Sequence, residues 1–284
     1  MMNLEPTIIQ IEKLINVNTA ASVTYAALEC RLAIERVCYE RLRIAHDYIS
    51  PDDLKKWQPR DVVKTLIQEV DAYAASTCTL SICKDPIPDG SEGPTLADFE
   101  KMEFLPIGTQ VGFNPNKLGS IWHALSNLAL HTPVPENSGK DIQTYGNVEE
   151  IKSKIRETLL ELKRLKDGNL LMSSGFGNIT SFECVCGSTN KRSIDLLKHG
   201  QTINCINPEC NESYKFEQSK NLFLRRAFKV SCQLCEQEHE LPKKTLEKMP
   251  VDKALPFKCE GCGDQITLVW RPMKGQTTKK SKAP

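Results

Sequence analysis

Residues 232–235 read Cys-Gln-Leu-Cys, and residues 259–262 read Cys-Glu-Gly-Cys. Zn²⁺ prefers four soft ligands in a tetrahedron, and two cysteines on one tight turn supply half of them. The intervening residues 236–258 are long enough for a short β-hairpin, so the two turns can face each other. The pattern predicts one zinc site with these ligands: Cys232, Cys235, Cys259 and Cys262. A closed four-cysteine site leaves no position for a catalytic water, so we expect it to be structural.

Four more cysteines lie upstream, again as two close pairs. They are Cys184, Cys186, Cys205 and Cys210. The first pair has one residue between its cysteines and the second has four, which is less regular than the spacing downstream. Residues 187–204 still suit a hairpin, so the pattern predicts a second zinc site. An interleaved arrangement, in which the outer pairs share one zinc and the inner pairs share another, stays open.

Residues that follow these turns support the same interpretation. Gly187 and Gly263 directly follow the second cysteine of a pair, where glycine lets backbone amides point at the thiolates. His239 comes four residues after Cys235 and is a further metal-binding side chain, although four cysteines already complete the site.

The two CxxC turns over about residues 230–270 resemble the zinc-ribbon family. On this resemblance the C-terminal part contains two consecutive zinc ribbons, at residues 183–228 and 229–272, with two structural Zn²⁺ ions as cofactors. Three short runs have the composition of strands. They are residues 214–216, 222–230 and 266–270.

Composition limits the class of protein. The chain has 284 residues, of which 40% are hydrophobic and 26% charged, which is typical of a folded protein with two or three domains. No run of 18 apolar residues occurs, so no membrane partner is expected. The first ten residues lack the basic and apolar segments of a secretory leader, which predicts a cytoplasmic location. In that reducing compartment, clustered cysteines more often hold metal than form disulfides.

The N-terminal part is predicted to be helical. Apolar residues recur at helical spacing in five segments. These are residues 6–17, 19–49, 62–75, 114–130 and 147–167. Thr19 and Asn147 are the expected N-caps of two of the helices.

Segments rich in glycine, proline or serine divide the chain. Residues 84–116 are predicted to be a loop insertion, with one helical turn near residues 96–101. A linker is expected at residues 169–182 and a disordered basic tail at residues 273–284. The predicted fold class is therefore α+β multidomain, with an all-α bundle at residues 1–168 followed by two small β-rich modules.

Residues 26–46, within the longest predicted helix, carry a second resemblance. They read Ala-Ala-Leu-Glu-Cys-Arg-Leu-Ala-Ile-Glu-Arg-Val-Cys-Tyr-Glu-Arg-Leu-Arg-Ile-Ala-His. This stretch resembles the HEPN superfamily of helical bundles, which are often dimeric and common in bacterial defence and toxin systems. The family signature is Arg followed, after four to six residues, by His, and Arg41-x4-His46 matches it. The resemblance implies a HEPN-like fold and a homodimer through the helical domain.

Active members of that superfamily cleave RNA without a metal. Carried over to this chain, Arg41 would stabilise phosphate charge and His46 would assist proton transfer at the 2′-hydroxyl. His123, Asn127 and His131 share one helix face, which is either a solvated polar face or a face that approaches Arg41 and His46 in the bundle. On the second interpretation His131 is a further catalytic candidate.

A structural role for Arg41 is the alternative. Arg41 lies on the apolar stripe of its helix, and a buried arginine needs a partner. That partner would be an internal carboxylate such as Glu29, Glu35 or Glu69. A second match to the signature, Arg192-x6-His199, falls within the first predicted zinc module.

The zinc modules contain one candidate nucleic-acid surface. Arg225, Arg226 and Lys229 alternate with Phe223 and Phe228, a pattern typical of single-strand binding. The alternative is an edge strand whose charges serve solubility. The net charge of +1 gives no strong electrostatic attraction to nucleic acid.

Two functions remain open on the sequence. The leading interpretation is a cytoplasmic zinc-binding protein with a HEPN-like, metal-independent endoribonuclease domain, from a bacterial defence or toxin-type system. Its ribbons would bind RNA or a partner protein. The alternative is a non-catalytic zinc-ribbon adaptor, or a nucleic-acid-binding protein, with a degenerate helical domain.

Overall fold

A computed structural model describes residues 3–54, 57–84, 95–135, 137–139, 141–172, 178–269 and 271. The chain divides into two compact units. The helical unit contains the residues up to Ser181 together with Lys191–Leu197, and the cysteine unit contains Phe182–Asn190 and the residues from Lys198 onward. Helices and small antiparallel sheets are both present, so the predicted α+β class is confirmed at that level.

Six helices belong to the described part of the helical unit. They are α1 (Glu5–Val17), α2 (Ala20–Ile44), α3 (Pro59–Glu69), α4 (Leu96–Phe99), α5 (Pro115–Ala129) and α6 (Val148–Lys166). The central helix is α2, which packs against α1, α3, α5 and α6 and buries Val23, Ile34 and Val37 in the core. The predicted caps are confirmed, since Thr19 accepts from Ser22 N at 3.1 Å and Asn147 accepts from Glu149 N at 3.0 Å.

Two helices end earlier than their apolar patterns suggested. Helix α2 stops at Ile44 rather than 49, and short 3-10 turns follow at His46–Tyr48 and Pro51–Asp53. Helix α3 stops at Glu69 rather than 75, because the Leu66 carbonyl accepts from the backbone N–H groups of both Val70 and Asp71 and so closes the helix.

A β-hairpin occupies part of the predicted loop. Strand β1 (Cys78–Cys83) pairs antiparallel with β2 (Phe104–Gln110), so the prediction of an all-α unit at residues 1–168 is wrong at this hairpin. The prediction of a loop over residues 84–116 is wrong for β2. Pro106 and Gly108 argued against a strand there, but a two-stranded ribbon has free edges, where proline loses no ladder bond. The strand register shifts between Leu80 and Ser81, which lie opposite Gly108 and Pro106, so β2 has one extra residue at this point. Helix α4 confirms the expected helical turn.

From residue 178 onward the described chain is mainly short strands. They are β3 (Ile179–Glu183), β4 (Thr189–Ser193), β5 (Thr202–Asn204), β6 (Ser213–Glu217), β7 (Leu222–Arg225), β8 (Ala227–Ser231), β9 (Glu238–Pro242), β10 (Ala254–Lys258) and β11 (Gln265–Val269), with helix α7 (Lys243–Glu247) after β9. The sheets are β3-β4, β5-β6-β7, β8-β9 and β10-β11, each antiparallel where the register is given.

Several predicted boundaries change in this part of the chain. The run at residues 222–230 is two strands, because the chain breaks at Arg226, whose N–H donates to the Ser213 carbonyl at 2.8 Å. Strand β3 begins within the predicted linker, whose residues 173–177 lie outside the described residues. The predicted basic tail, residues 273–284, and Trp270 also lie outside them. Among the described residues, no helix is both long and apolar enough to cross a membrane.

Candidate metal centres

The eight C-terminal cysteines form two separate groups. Cluster 1 contains Cys184, Cys186, Cys205 and Cys210, and cluster 2 contains Cys232, Cys235, Cys259 and Cys262. Within each cluster the four sulphur atoms lie within 4.8 Å of one another. The consecutive grouping predicted from the spacing is confirmed, and the interleaved arrangement is not formed.

Distances between sulphur atoms fit a tetrahedral metal. In cluster 1 the Sγ atoms are 3.8 Å apart for Cys184–Cys210 and 3.7 Å apart for Cys186–Cys205. In cluster 2 they are 3.7 Å for Cys232–Cys262 and 3.5 Å for Cys235–Cys259. Zinc–sulphur bonds of about 2.3 Å in a tetrahedron place two sulphurs about 3.8 Å apart, whereas a disulfide requires about 2.05 Å. Both clusters therefore fit structural Zn²⁺.

The strands place each cysteine pair on a hairpin turn. The first cysteine of every pair directly follows a strand, namely β3, β5, β8 or β10. Its backbone N–H then closes the turn, as in Cys232 N to Gln237 O at 2.9 Å and Cys259 N to Asp264 O at 2.7 Å.

Left-handed residues complete three of the four turns. Gly187 and Gly263 have φ values of 82° and 76°, which confirms the reason for glycine at these positions. Glu236 takes the equivalent place after Cys235 with a φ of 59°, and its residue type gave no signal for this conformation.

The pKa values of the cysteines show that neighbouring thiolates repel one another, and a bound cation would relieve that repulsion. Burial opposes ionisation of Cys186, but hydrogen bonds from Ser188 outweigh it and lower the pKa of Cys186 to about 6. In cluster 2 the Cys262 backbone, and then the His239 side chain, lower the pKa of Cys259 to about 6. The Asp264 backbone favours the Cys262 thiolate, but Cys235 and Cys232 outweigh it and raise the pKa of Cys262 to about 12. Four thiolates this close cannot all ionise without a cation between them.

Arg41, the predicted phosphate-binding residue, is buried in the helical unit. Its residue exposure is 5%, and its Nη1 donates to Gln110 Oε1. Its Nη2 donates to the Val111 carbonyl at 3.1 Å, while Nε is buried and has no hydrogen-bond partner among the described residues. Burial lowers the pKa of Arg41 to about 10. The expected carboxylate partner is therefore replaced by a neutral amide and a carbonyl.

The two candidate histidines lie at the surface and apart from Arg41. His46 is exposed, with Nδ1 3.5 Å from Asp47 Oδ1, and His131 is exposed just beyond α5. Within the described part of the chain, no hydrogen bond or ion pair joins either histidine to Arg41. The second match to the family signature is divided, since Arg192 belongs to the helical unit and His199 to the cysteine unit.

A cavity of about 450 Å³ opens in the helical unit. Its described lining contains two carboxylates, Asp71 and Asp195, beside Tyr73, Cys78 and other apolar or neutral side chains. None of these described lining residues is basic, so none of them would neutralise a phosphate.

Acidic residues pair with each member of the predicted nucleic-acid surface. Arg225 binds Glu212 and Glu240, both through contacts of 2.7 Å. Arg226 contacts Glu247 at 3.1 Å, and Lys229 contacts Glu238 at 3.0 Å. Glu212 is almost fully buried, at 5% exposure, so its pair with Arg225 is internal to the cysteine unit.

Three positions in these sites were not identified from the sequence. Gln110 is 1% exposed and also accepts from Met172 N at 3.0 Å, so it joins distant segments around Arg41. Glu212 is the buried partner of Arg225. Asn190 lies against cluster 1, four residues after Cys186, the same interval that separates His239 from Cys235. That repeated interval was visible in the sequence.

Comparisons with protein-family models, with curated proteins and with solved structures find no match for this chain.

Proposed function

We propose that this chain is a non-catalytic zinc-binding adaptor, whose two zinc centres hold a protein-binding module. The observation that carries the proposal is the environment of Arg41, whose hydrogen bonds go to Gln110 and Val111 inside the core. An arginine that stabilises phosphate in a transition state must reach the substrate. Both cysteine clusters are complete with four sulphurs, which supports a structural role for the metal as well.

A protein is the favoured partner over RNA. The three basic residues of the predicted nucleic-acid surface already have carboxylate partners, which lowers their attraction for phosphate. The helical unit instead exposes four large apolar side chains on one hairpin, of which Ile82 and Leu105 lie opposite each other and share a face. The four are Ile82, Phe104, Leu105 and Ile107.

On the HEPN resemblance, the helical unit would be a degenerate relative that keeps the bundle and the homodimer. An active endoribonuclease of a bacterial defence or toxin-type system is the second candidate. It is favoured by the exposure of His46 directly after the end of α2, where a substrate can reach it. The defence role has its support in that resemblance alone.

Cleavage assays separate the two candidates. Purified wild-type protein with two zinc ions per chain is incubated with structured and single-stranded RNAs, during an EDTA exposure brief enough to spare the zinc centres. We expect no cleavage. Cleavage that is lost in His46→Ala but kept in His199→Ala, a second exposed histidine used as the control, would establish the ribonuclease instead.

Self-association is tested separately. Sedimentation of the wild type is compared with Ile82→Asp and Leu105→Asp, and with Val134→Asp, which changes a residue that is 88% exposed and belongs to neither strand of the hairpin. A dimer that only the first two variants dissociate would place the homodimer interface on the hairpin. A dimer that survives all three would place it elsewhere.

A further inference from the structure

Asn190 and His239 occupy matching positions in the two clusters. Asn190 lies four residues after Cys186, the second cysteine of cluster 1, and His239 lies four residues after Cys235, the second cysteine of cluster 2. Each is the second residue of the strand that leaves the first turn, β4 or β9. The two side chains therefore point the same way from equivalent hairpins.

Both side chains contact the third cysteine of their own cluster. Asn190 Nδ2 lies 3.9 Å from Cys205 Sγ, and His239 Nε2 lies 3.2 Å from Cys259 Sγ. Asn190 is fully buried and His239 is 8% exposed. Buried polar groups are retained where they have partners, and the sulphur is the partner that the two positions share.

Each side chain also contacts the segment that carries the third cysteine. Asn190 Oδ1 accepts from Ile206 N at 2.9 Å, next to Cys205. The His239 ring packs edge-on against Phe257, two residues before Cys259, with centroids 5.6 Å apart. In both clusters one side chain thus connects the first turn to the second.

We propose that Asn190 and His239 are equivalent positioning residues, each donating an N–H hydrogen bond to one zinc-bound thiolate, that of Cys205 or Cys259. Four thiolates on one Zn²⁺ leave a net charge of about −2. An N–H donor stabilises that charge and fixes the direction of one sulphur. A sulphur that accepts this hydrogen bond is less nucleophilic than the same sulphur without the donor. The inference depends on the two zinc centres but not on the adaptor role.

Variants at position 239 separate the hydrogen bond from packing. His239→Phe keeps a ring against Phe257 and removes the donor. His239→Asn keeps an N–H donor of the kind found at position 190, and His239→Leu has about the size of asparagine without the donor. His199→Phe changes an exposed histidine of the same unit and is the matched control.

Cobalt substitution and zinc competition are the measurements. The full-length chain is loaded with Co²⁺, and the sulphur-to-cobalt charge-transfer band of each variant is compared with the wild type. Zinc retention by each cluster is measured against a chelator, and alkylated cysteines are identified by peptide mapping. Loss of a hydrogen-bonding group around metal ligands typically weakens metal affinity by about 10- to 100-fold.

We expect His239→Phe and His239→Leu to weaken zinc retention in cluster 2 alone, to shift the charge-transfer band and to make Cys259 react faster with the alkylating agent than it does in the wild type. His239→Asn and His199→Phe should match the wild type. Retention and spectra in His239→Leu that equal those of His239→Asn would overturn the proposal, even if His239→Phe fails to fold. A wild-type spectrum of three sulphurs and one nitrogen would also overturn it, by making His239 a ligand. A wild type that binds no cobalt would overturn the assignment of the two clusters as zinc centres.

A substitution of Asn190 tests the proposal independently in cluster 1. Asn190→Asp keeps the Oδ1 acceptor for Ile206 but removes the Nδ2 donor both from Cys205 Sγ and from the Ser188 carbonyl, which lies 3.0 Å away. Zinc retention should therefore fall in cluster 1 alone. Unchanged zinc retention in Asn190→Asp would refute the equivalence of the two positions.

Discussion

Arg225 holds Glu212 through two parallel hydrogen bonds, from Nε to Oε2 at 2.9 Å and from Nη2 to Oε1 at 2.7 Å. This bidentate pair lies beside cluster 1, because the Glu212 carbonyl accepts from Cys205 N at 3.1 Å. The hydrogen bond that Arg225 donates to Glu212 raises the pKa of Arg225 above its usual value. The arginine therefore stabilises the fold of the cysteine unit, and its charge is already compensated.

Substitution of Arg225 should destabilise the cysteine unit. Arg225→Ala leaves the carboxylate of Glu212 buried without its guanidinium, and the loss of one partner from such a pair typically costs about 3–5 kcal/mol. We expect the free energy of unfolding of this unit to fall by about that amount in urea denaturation of the zinc-loaded protein. Lys229→Ala is the control, because both partners of that pair are more than half exposed, and its change should stay within about 0.5 kcal/mol. Equal stabilities for the two variants would show that the Glu212 pair is not structural.

Alanine substitution should destabilise the protein strongly at Arg41 and hardly at all at His46. Arg41→Ala leaves the Val111 carbonyl without its donor and creates a cavity in the core, which together cost about 2–4 kcal/mol. His46→Ala changes an exposed side chain and should cost less than about 0.5 kcal/mol. Thermal unfolding followed by circular dichroism measures both.

The comparison also tests the assignment of Arg41. Arg41→Met fills most of the cavity but provides no donor, so its stability should lie between those of the wild type and Arg41→Ala. An Arg41→Ala variant as stable as the wild type would contradict the structural role and return Arg41 to the catalytic candidates.

Zinc ligands were predictable because their signal is local. Each pair lies on one turn, so the spacing between Cys232 and Cys235 already encodes half of a tetrahedron. Helix starts were predictable for the same reason, since Thr19 caps a helix within its own first turn.

Long-range partners were not predictable from the pattern. Arg41 finds Gln110 on β2, which lies in a segment whose proline and glycine content indicated a loop. Without that strand no neutral partner was expected, so a carboxylate was predicted as the partner of Arg41. Similarly, Arg225 appeared to be a surface cation because Glu212 precedes it by an interval with no helical or strand periodicity.

Zinc removal should unfold one unit and spare the other. The strands of the cysteine unit are short, and zinc binding provides folding free energy in such small metal domains. The helical unit has its own apolar core around α2. After removal by a chelator, we expect the helical circular dichroism signal to remain while hydrogen exchange becomes fast over the cysteine unit. Loss of helix in parallel with zinc would show instead that the two units fold as one.

Zinc affinity should decrease as the pH is lowered, because the cysteine thiolates then take up protons. With the turns folded and no metal bound, Cys262 keeps its proton at neutral pH because its pKa is raised to about 12, so zinc binding must release that proton. In the same folded turns the pKa values of Cys186 and Cys259 are lowered to about 6, below that of an unfolded thiol, so both are thiolates at neutral pH. A unit that unfolds without zinc keeps its thiols protonated and releases more protons when zinc binds. The stability that these two thiolates give the folded unit is fully present above the pKa of an unfolded cysteine. It is lost as the pH falls through about 6. Calorimetry in buffers of different ionisation enthalpy should therefore show proton release at pH 7 and a larger release with weaker binding below pH about 6. An affinity that does not change between pH 8 and pH about 5 would exclude cysteine thiolates as the ligands.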